Sequence, residues 1–283
     1  MSIYIGFDIG GTKLLVAAAD HNGNILRCER EATPREFDVG LTLIKSMINR
    51  VAAGESITSI GVAIGGPMDW RQGIVSPLHQ PEWRDVPLKD LLEQNVGCPS
   101  FIDVDTNVAA LGEFVFGAET ASRLLYLTIS TGMGGGFLID GCVYRGMNGE
   151  HPEVGHQAIP YRCAHPERVL CECGADDCLG ALVSGNGIRC IYGKPAEELN
   201  SEEWQEVAYN LGQGLRNLAT IYLPDVIVLG GGVALGGGES LLETARSIME
   251  LKLKLVPYPA VRFSHLGYDT ALRGAVALAM QRR

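Results

Sequence analysis

Short apolar runs, each with glycines close behind, recur along the chain. They occupy residues 3–7, 60–64, 124–129 and 226–229. Runs of this length, rich in β-branched residues and bounded by glycine, are typical of buried strands that end in tight turns. The pattern therefore predicts four core strands.

Helical periodicity fills the intervals between these runs. Residues 39–51 and 204–222 place apolar side chains three and four positions apart, as on one face of a helix. Pro87 suits the start of a short helix that ends near Asn95, and residues 241–253 and 271–280 are further candidates. Strands that alternate with helices predict α/β layers with mixed sheets.

One strand–turn–strand pattern occurs twice. Phe-Asp-Ile-Gly-Gly-Thr-Lys at 7–13 precedes one apolar strand, and Ile-Ser-Thr-Gly-Met-Gly-Gly-Gly at 129–136 precedes another. Two copies about 120 residues apart indicate two similar domains that face one another. We expect an N-terminal α/β domain over 1–115, completed by a C-terminal helix at about 271–283, and a C-terminal α/β domain over 116–270.

Composition and charge exclude several classes of protein. The 283 residues are 46% hydrophobic and 20% charged, which is typical of a soluble globular protein and not of a disordered chain. A formal net charge of -10 disfavours nucleic-acid binding, because that function needs a basic surface. No apolar run approaches the roughly 18 residues of a membrane span, and the N-terminus lacks the features of a signal peptide. We therefore expect a cytoplasmic protein with no membrane partner.

The two glycine turns carry the first candidate chemistry. Backbone N–H groups in such turns can surround an anion, while Thr12, Ser130 and Thr131 add hydroxyl donors and Lys13 adds a cation. Asp8, at the end of a strand, is placed to hold Mg²⁺ through water. Either turn alone also suits a plain hairpin, but the pair predicts phosphate binding. The chain has no GxxxxGK[ST] motif and no helix-opening GxGxxG motif, which disfavours a P-loop enzyme and a nicotinamide dehydrogenase.

In the order and spacing of its motifs the sequence resembles the ROK family of sugar kinases, which have the actin-like (ribonuclease H-like) ATPase fold. The matching segments are 8–13, 105–113, 130–136, 153–156, the cysteine cluster at 171–178, and 229–232. The resemblance implies a duplicated two-domain fold with mixed sheets and an interdomain cleft that binds ATP. It implies a Mg²⁺-dependent transfer of the γ-phosphate to a hydroxyl of a hexose, a modified hexose or a related sugar. Because the family is often dimeric, we expect a homodimer.

By the same resemblance, particular residues take the two substrates. The residues expected to bind the nucleotide are Asp8, Gly10, Gly11, Thr12, Lys13, Thr131, Gly132, Gly230 and Gly231. The residues expected to bind the sugar are Gly66, Pro67, His79, Val104, Asp105, Glu153 and His156. Several of these positions also suit a purely structural role.

Asp105 is the candidate catalytic residue. Phosphoryl transfer to an alcohol needs a carboxylate that takes the hydroxyl proton, and the resemblance assigns this general-base role to Asp105. On the residues alone, Asp105 is equally suited to capping the helix that follows. Asp103 is the neighbouring alternative, for which we expect a structural role.

Three cysteines within eight residues indicate a metal site. Cys171, Cys173 and Cys178 supply three thiolates, and one imidazole would complete a closed tetrahedral zinc site of the structural type. The resemblance makes His156 the fourth ligand, with Cys163 and His165 as nearby alternatives. A closed site leaves no position for an activated water, so we expect zinc in the C-terminal domain to be structural.

Four departures from the family pattern fall where the sugar is expected. Val104 replaces the usual Asn, and His79 replaces the Asn of an Asn-Leu-Pro-Gly-Trp segment that reads His-Gln-Pro-Glu-Trp here. Gly180 replaces a Glu, and His151-Pro152 replaces Ala-Gly. The lost hydrogen bonds are each worth on the order of 1 kcal/mol, so we expect an acceptor other than plain glucose.

Three alternatives stay open. A transcriptional repressor of the same family would need an added helix-turn-helix domain, and the first phosphate turn begins at Asp8. An inactive sugar-binding sensor would fit the altered acceptor residues but not the retained Asp8, Asp105 and Glu153. An acetate-kinase-like enzyme of this fold would not explain the cysteine cluster.

Overall fold

The computed structural model describes residues 2–117 and 121–281. The strands are β1 Ser2–Ile9, β2 Lys13–Ala19, β3 Ile25–Ala32, β4 Ser56–Ile64, β5 Met68–Asp69, β6 Ile74–Val75, β7 Val86–Pro87, β8 Ser100–Val104, β9 Arg123–Ile129, β10 Met133–Ile139, β11 Cys142–Val143, β12 Val226–Gly230 and β13 Ala260–Phe263. The α-helices are α1 Phe37–Ala52, α2 Leu88–Val96, α3 Asp105–Phe116, α4 Leu179–Val183, α5 Gly185–Tyr192, α6 Ser201–Tyr222, α7 Gly232–Lys252 and α8 Thr270–Met280.

The chain divides into two compact units. Unit 1 comprises Met1–Ala118 and Asp269–Arg283, and unit 2 comprises Glu119–Tyr268. The main sheet of unit 1 has the strand order β3-β2-β1-β4-β8. The first three strands are antiparallel, whereas β1, β4 and β8 run parallel. The small sheet β5-β6-β7 belongs to the same unit.

Helix α8 packs directly on the main sheet of unit 1 and on α3. Glycines make this close approach possible: a Cβ at Gly61 would lie 2.0 Å from the Ala275 carbonyl oxygen, and one at Gly274 would lie 1.9 Å from the Val108 carbonyl oxygen. The buried Ser59 hydroxyl also donates to the Ala279 carbonyl across 2.6 Å. The last helix is thus part of the core of unit 1.

The sheet of unit 2 repeats the plan of unit 1. Its strand order is β11-β10-β9-β12-β13, with an antiparallel β11-β10-β9 meander and parallel β9, β12 and β13. Helices α4, α6 and α7 bury their apolar residues in its core, together with residues beside the cysteine cluster. Within residues 2–117 and 121–281, no helix combines the length with the apolar content that a membrane crossing requires.

The predicted elements are present, with one difference. All four predicted strands and all five predicted helices are found, and the α/β layers with mixed sheets are confirmed. The helix predicted over 241–253 begins earlier, at Gly232, and is interrupted at Gly238, where φ is 63°. Three consecutive glycines there remove the apolar periodicity, so the sequence pattern showed only the part after the interruption.

Candidate active site

The candidate catalytic groups of unit 1 gather at one edge of its sheet. Strands β1, β4 and β8 are parallel and in register, with Ile9 opposite Ile64 and Ile64 opposite Val104. Their carboxyl ends therefore meet, which is where open α/β sheets bind ligands. Asp8 lies at the end of β1, Gly66 follows β4, and Asp105 follows β8.

Asp105 and Asp103 have different surroundings. Asp103 is buried, and its carboxylate accepts hydrogen bonds from the Val104 N–H at 2.7 Å and the Asn107 amide at 3.0 Å. Asp105 is half-buried, is the first residue of α3, and accepts a bond from the Thr106 N–H at 2.8 Å. Val104, not Asp105, occupies the helix N-cap position. The geometry thus gives Asp103 a role in the strand–helix turn and leaves Asp105 at the sheet edge.

The electrostatics of Asp8 link it to Asp105. Burial, followed by the negative charge of Asp105, raises the pKa of Asp8 to about 7, against the lowering effect of Lys13. A carboxyl group in such surroundings gains from a cation, because a cation offsets both the burial and the repulsion. Carboxylate oxygen is also the donor that Mg²⁺ prefers, so Asp8 suits a magnesium site.

Hydrogen bonds to the backbone of Gly10 hold the first glycine turn in place. The Gly10 N–H donates to the Lys13 carbonyl at 2.9 Å, which closes the turn between β1 and β2. The Gly10 carbonyl accepts two further bonds, from the Thr33 hydroxyl at 2.6 Å and from the Gln80 side-chain amide at 2.9 Å. Gly11 and Thr12 are exposed at the tip of the turn.

The segment 76–83 runs beside this turn and beside the loop after β4. The Leu78 N–H donates to the Gly66 carbonyl, and the Ser76 N–H donates to the Pro67 carbonyl, both at 3.0 Å. The peptide bond between Gly66 and Pro67 is cis. His79 is exposed, and a Cβ added to Gly11 would lie 2.9 Å from the His79 Cβ.

Trp83 anchors the far end of the segment 76–83. Its side chain is fully buried, donates to the Arg35 carbonyl at 3.2 Å and packs edge-on against Phe37. In unit 1 the structure therefore brings Gly66, Pro67 and His79 together with the first glycine turn. Val104 adjoins Gly66, since a Cβ added to Gly66 would lie 4.0 Å from the Val104 Cγ2.

The second glycine turn, in unit 2, is also held through its carbonyl groups. The Ser130 carbonyl accepts from the Gly185 N–H at 2.7 Å, and the Thr131 carbonyl accepts from the Asn186 N–H at 2.9 Å. These N–H groups belong to the first turn of α5. Thr131 and Gly132 are exposed at the tip.

A cavity in unit 2 joins this turn to the glycine turn at 230–232, at the end of β12. Gly231 needs to be glycine, because its φ is 90° and a Cβ would lie 2.4 Å from the Ile129 carbonyl oxygen. A Cβ at Gly230 would lie 2.2 Å from the Tyr126 hydroxyl. The cavity is lined by Ser130, Thr131, Gly185, Arg189, Pro195, Ala196, Glu197, Gly232 and Val233.

The predicted zinc ligands converge in unit 2. One ligand atom from each of His156, Cys171, Cys173 and Cys178 lies within 4.8 Å of all the others. The His156 Nδ1 is 3.2 Å from the Cys171 Sγ, and the Sγ atoms of Cys173 and Cys178 are 3.5 Å apart. The sulfur–sulfur distance approaches the edge of about 3.8 Å that two zinc–sulfur bonds make in a tetrahedron, and the nitrogen–sulfur edge is shorter because zinc–nitrogen bonds are shorter.

The thiol chemistry of this cluster also suits zinc. The Ala175 backbone hydrogen bond lowers the pKa of Cys173 to about 7, whereas burial raises the pKa of Cys178 to about 12. Zinc deprotonates a thiol that coordinates it. The residues therefore fit a closed Cys3His site, while the alternatives Cys163 and His165 lie outside the cluster.

Glu153 lies next to the cluster, together with two of the four departures from the family pattern, His151-Pro152 and Gly180. The His156 N–H donates to the Glu153 carbonyl at 3.0 Å. The Glu153 side chain is exposed, with its Oε1 3.6 Å from the His151 Nε2. A Cβ at Gly180 would lie 3.2 Å from the Gly155 carbonyl oxygen, so a side chain there has little room.

Sequence reasoning missed three residues in these surroundings. Gln80 and Thr33 hold the first glycine turn, and Arg189 lines the cavity in unit 2. Gln80 offered one signal, a polar residue where the family segment has leucine. The other two residues offered none, because their positions depend on contacts between distant parts of the sequence.

Two sheets of one strand order, each with a glycine turn in its first hairpin, define a protein of the actin-like ATPase class. The pattern of the ROK family matches residues 4–282, so the chain belongs to the ROK family. A glucokinase from Streptomyces coelicolor is 28% identical, with 99% of this chain and 98% of the relative covered. A fructokinase from Zymomonas mobilis is 32% identical, with 98% of this chain and 96% of the relative covered.

Solved structures agree with this assignment. The ROK hexokinase from Thermus thermophilus is similar with a TM-score of 0.84 and 31% identity, covering 98% of this chain and 97% of that one. A ROK glucokinase from Streptomyces griseus, in complex with glucose and AMPPNP, has a TM-score of 0.79 and 29% identity, and 99% of each chain is covered. The family to which the chain belongs is thus one that includes phosphotransferases acting on sugar hydroxyls.

Proposed function

We propose that the protein is an ATP-dependent carbohydrate kinase that transfers the γ-phosphate to a sugar hydroxyl, with Asp105 as the general base. The observation that carries this proposal is the position of Asp105 at the carboxyl edge of the sheet, close enough for its charge to raise the pKa of Asp8. A proton acceptor and a cation-binding carboxylate at one edge are what phosphoryl transfer to an alcohol requires.

The chemical step uses these groups in turn. Asp105 accepts the proton of the acceptor hydroxyl, whose oxygen then bonds to the γ-phosphorus as the bond between that phosphorus and the β-phosphate oxygen breaks. ADP leaves with the electron pair of the broken bond. Asp8 would hold Mg²⁺, which supplies charge neutralisation on the phosphates. Lys13 and the N–H groups of Gly11 and Thr12 are proposed to bind the phosphates.

Unit 2 is proposed to bind the rest of the nucleotide and part of the sugar. Thr131, Gly132, Gly230 and Gly231 are assigned to the nucleotide, and the cavity that joins their turns supports this assignment. Glu153 and His156 are assigned to the sugar hydroxyls. Zinc bound by His156, Cys171, Cys173 and Cys178 is proposed to hold the Glu153–His156 turn in place.

The acceptor is proposed to be a sugar other than plain glucose. Val104 and His79 present an apolar side chain and an imidazole beside Gly66 and Gly11. His151 places a second imidazole beside the Glu153 carboxylate. Amino sugars, N-acetyl amino sugars, ketoses, sugars with altered hydroxyls and cyclitols are the acceptor classes that this altered set of donors and acceptors allows.

The proposal is tested by measuring ADP release with MgATP against a panel of these acceptor classes and the simple hexoses. We expect one class to give turnover well above the rate of ATP hydrolysis without acceptor. A protein that binds these sugars but releases no ADP above that background would instead be an inactive sensor, which contradicts the proposal.

Substitution of Asp8 by asparagine is expected to stabilise the free protein while it abolishes activity. Since the pKa of Asp8 is raised to about 7 in the folded state from 3.8, the wild type loses stability as the pH rises through this interval. Asp8→Asn should therefore have the higher melting temperature at pH 8, by a margin that shrinks toward pH 5. Thermal unfolding at several pH values, alongside MgATP turnover, makes the measurement.

Asp20→Asn provides a control of opposite sign. Hydrogen bonds from Asn24 and Asn22 lower the pKa of Asp20, so the loss of its charge should lower the melting temperature at pH 8. The electrostatic account of Asp8 is wrong if Asp8→Asn is the less stable protein at pH 8.

His79 is expected to affect the choice of acceptor. Asparagine at this position keeps the Cβ that packs near Gly11 but exchanges an imidazole for an amide. His79→Asn should change the ratio of kcat/KM between two acceptors by about tenfold, the equivalent of one hydrogen bond, with the KM for MgATP within twofold of the wild type. The exposed Glu82→Gln is the matched control in the same segment. An equal loss of kcat/KM for every acceptor and for MgATP would contradict this role.

A further inference from the structure

The Gly10 carbonyl has an unusual set of partners for the tip of a turn. It accepts from the Thr33 hydroxyl at 2.6 Å and from the Gln80 amide at 2.9 Å, so two side chains fix one peptide group. Gln80 is only 4% exposed, which means that its amide has been taken out of water to make this bond. A buried amide is costly unless it is hydrogen-bonded, so the bond to the Gly10 carbonyl holds the Gln80 amide and that peptide group together.

The backbone of Gln80 is fixed as well. Its N–H donates to the Pro77 carbonyl at 3.2 Å, and its carbonyl accepts from the Trp83 N–H at 2.9 Å. Trp83 is itself fully buried. The amide of Gln80 therefore reaches Gly10 from a rigid support.

Peptide geometry makes the orientation of the Gly10 carbonyl important for anion binding. In a trans peptide the C=O and the following N–H point in opposite directions. With the Gly10 carbonyl held toward Gln80 and Thr33, the Gly11 N–H points away from them, at the exposed tip of the turn. If this peptide rotated, a carbonyl oxygen would face the tip instead and would repel an anion.

The peptide groups of the second glycine turn are also oriented through their carbonyl groups, but there the donors are backbone N–H groups. There the Ser130 and Thr131 carbonyls are held by the N–H groups of Gly185 and Asn186, at 2.7 and 2.9 Å, so the N–H groups of Thr131 and Gly132 point the opposite way. Helix α5 supplies these donors from its backbone. At the first turn the donors are two side chains instead, the Gln80 amide and the Thr33 hydroxyl.

We propose that Gln80 is a positioning residue for phosphate binding, which orients the Gly10–Gly11 peptide so that the Gly11 N–H faces the nucleotide phosphates. The proposal rests on the proposed kinase function. It gives Gln80 a role in nucleotide binding, whereas its neighbour His79 is proposed to affect the choice of acceptor. Gln80 acts through the peptide and does not itself touch the substrate.

The experiment measures MgAMPPNP binding by calorimetry without acceptor, for wild type and Gln80→Met. Methionine keeps the length and burial of the side chain but has no N–H donor. We expect the Kd of MgAMPPNP to rise about tenfold, or about 1.4 kcal/mol, while the acceptor KM stays within twofold. Thr33→Val removes the other donor to the Gly10 carbonyl and does not alter segment 76–83. This variant should also raise the Kd of MgAMPPNP.

Gln213→Met is the matched control. Gln213 is a buried glutamine of unit 2 whose amide has no hydrogen-bond partner within the described part of the chain, so its loss should leave the Kd unchanged. The inference is overturned if folded Gln80→Met and Thr33→Val bind MgAMPPNP as the wild type does, or if Gln80→Met raises the acceptor KM alone. A wild type that binds no MgAMPPNP contradicts the kinase proposal itself, which separates the two failures.

Discussion

Asp105→Asn should lower kcat by about 10²–10⁴-fold, the range that a general base contributes to proton transfer. The amide has the size of the carboxylate and can still accept from the Thr106 N–H, so the first turn of α3 should remain in place. Because Asp105 is assigned to the acceptor hydroxyl, the KM for MgATP should change by less than about threefold. Steady-state kinetics with the best acceptor provides the measurement.

Two further measurements make this test specific. Asp103→Asn alters the neighbouring carboxylate, which bonds to the Val104 N–H and the Asn107 amide, and should lower the melting temperature more than Asp105→Asn does. Loss of the negative charge of Asp105 should also lower the pKa of Asp8 below about 7, which a pH titration of stability detects. A kcat for Asp105→Asn within threefold of the wild-type value would remove Asp105 from the mechanism.

Removal of zinc should strongly lower the stability of the protein. The wild type should contain one zinc ion per chain, and Cys173→Ser should lose it and unfold at a temperature lower by on the order of 10 °C. Cys173 is the suitable position because it is exposed, so its substitution leaves no cavity in the core. Metal analysis and thermal unfolding of both proteins give the two quantities.

Cys190→Ser is the matched control for the zinc prediction. Cys190 is also an exposed cysteine of unit 2 but does not belong to the Cys3His cluster, so neither zinc content nor melting temperature should change. Added zinc should restore the wild type after chelation but not Cys173→Ser. A metal-free wild type of unchanged stability would show that the cluster is a set of ordinary thiols.

Much of the fold could be predicted from local sequence patterns. The apolar runs before glycine became β1, β4, β9 and β12, because a run of four to six mostly apolar residues has few other ways to be buried. The repeated hairpin pattern corresponds to β1-β2 and β9-β10, which begin two sheets of the same order. Local patterns suffice here because the determining contacts are between near neighbours.

The candidate site was predictable to a lesser degree. Asp8 lies at the end of β1 and Asp105 directly follows β8, and parallel register brings the ends of these two strands to one edge through β4. The contact of Gln80 with Gly10 spans 70 positions and depends on the path of an irregular segment, for which no periodicity exists. The close approach of Gly180 to Gly155 is similarly invisible, since the absence of a side chain has no signature of its own.

The packing of α8 has a consequence for the order of events during synthesis. Residues 2–117 emerge from the ribosome first. The surface around Gly61 and Ser59 nevertheless stays uncovered until Ala275 and Ala279 have been synthesised. Unit 2 is translated in the meantime and has all of its own strands before α8 emerges. All residues of unit 2 are thus available for folding before unit 1 has its last helix, the reverse of the usual order in which the N-terminal domain is completed first.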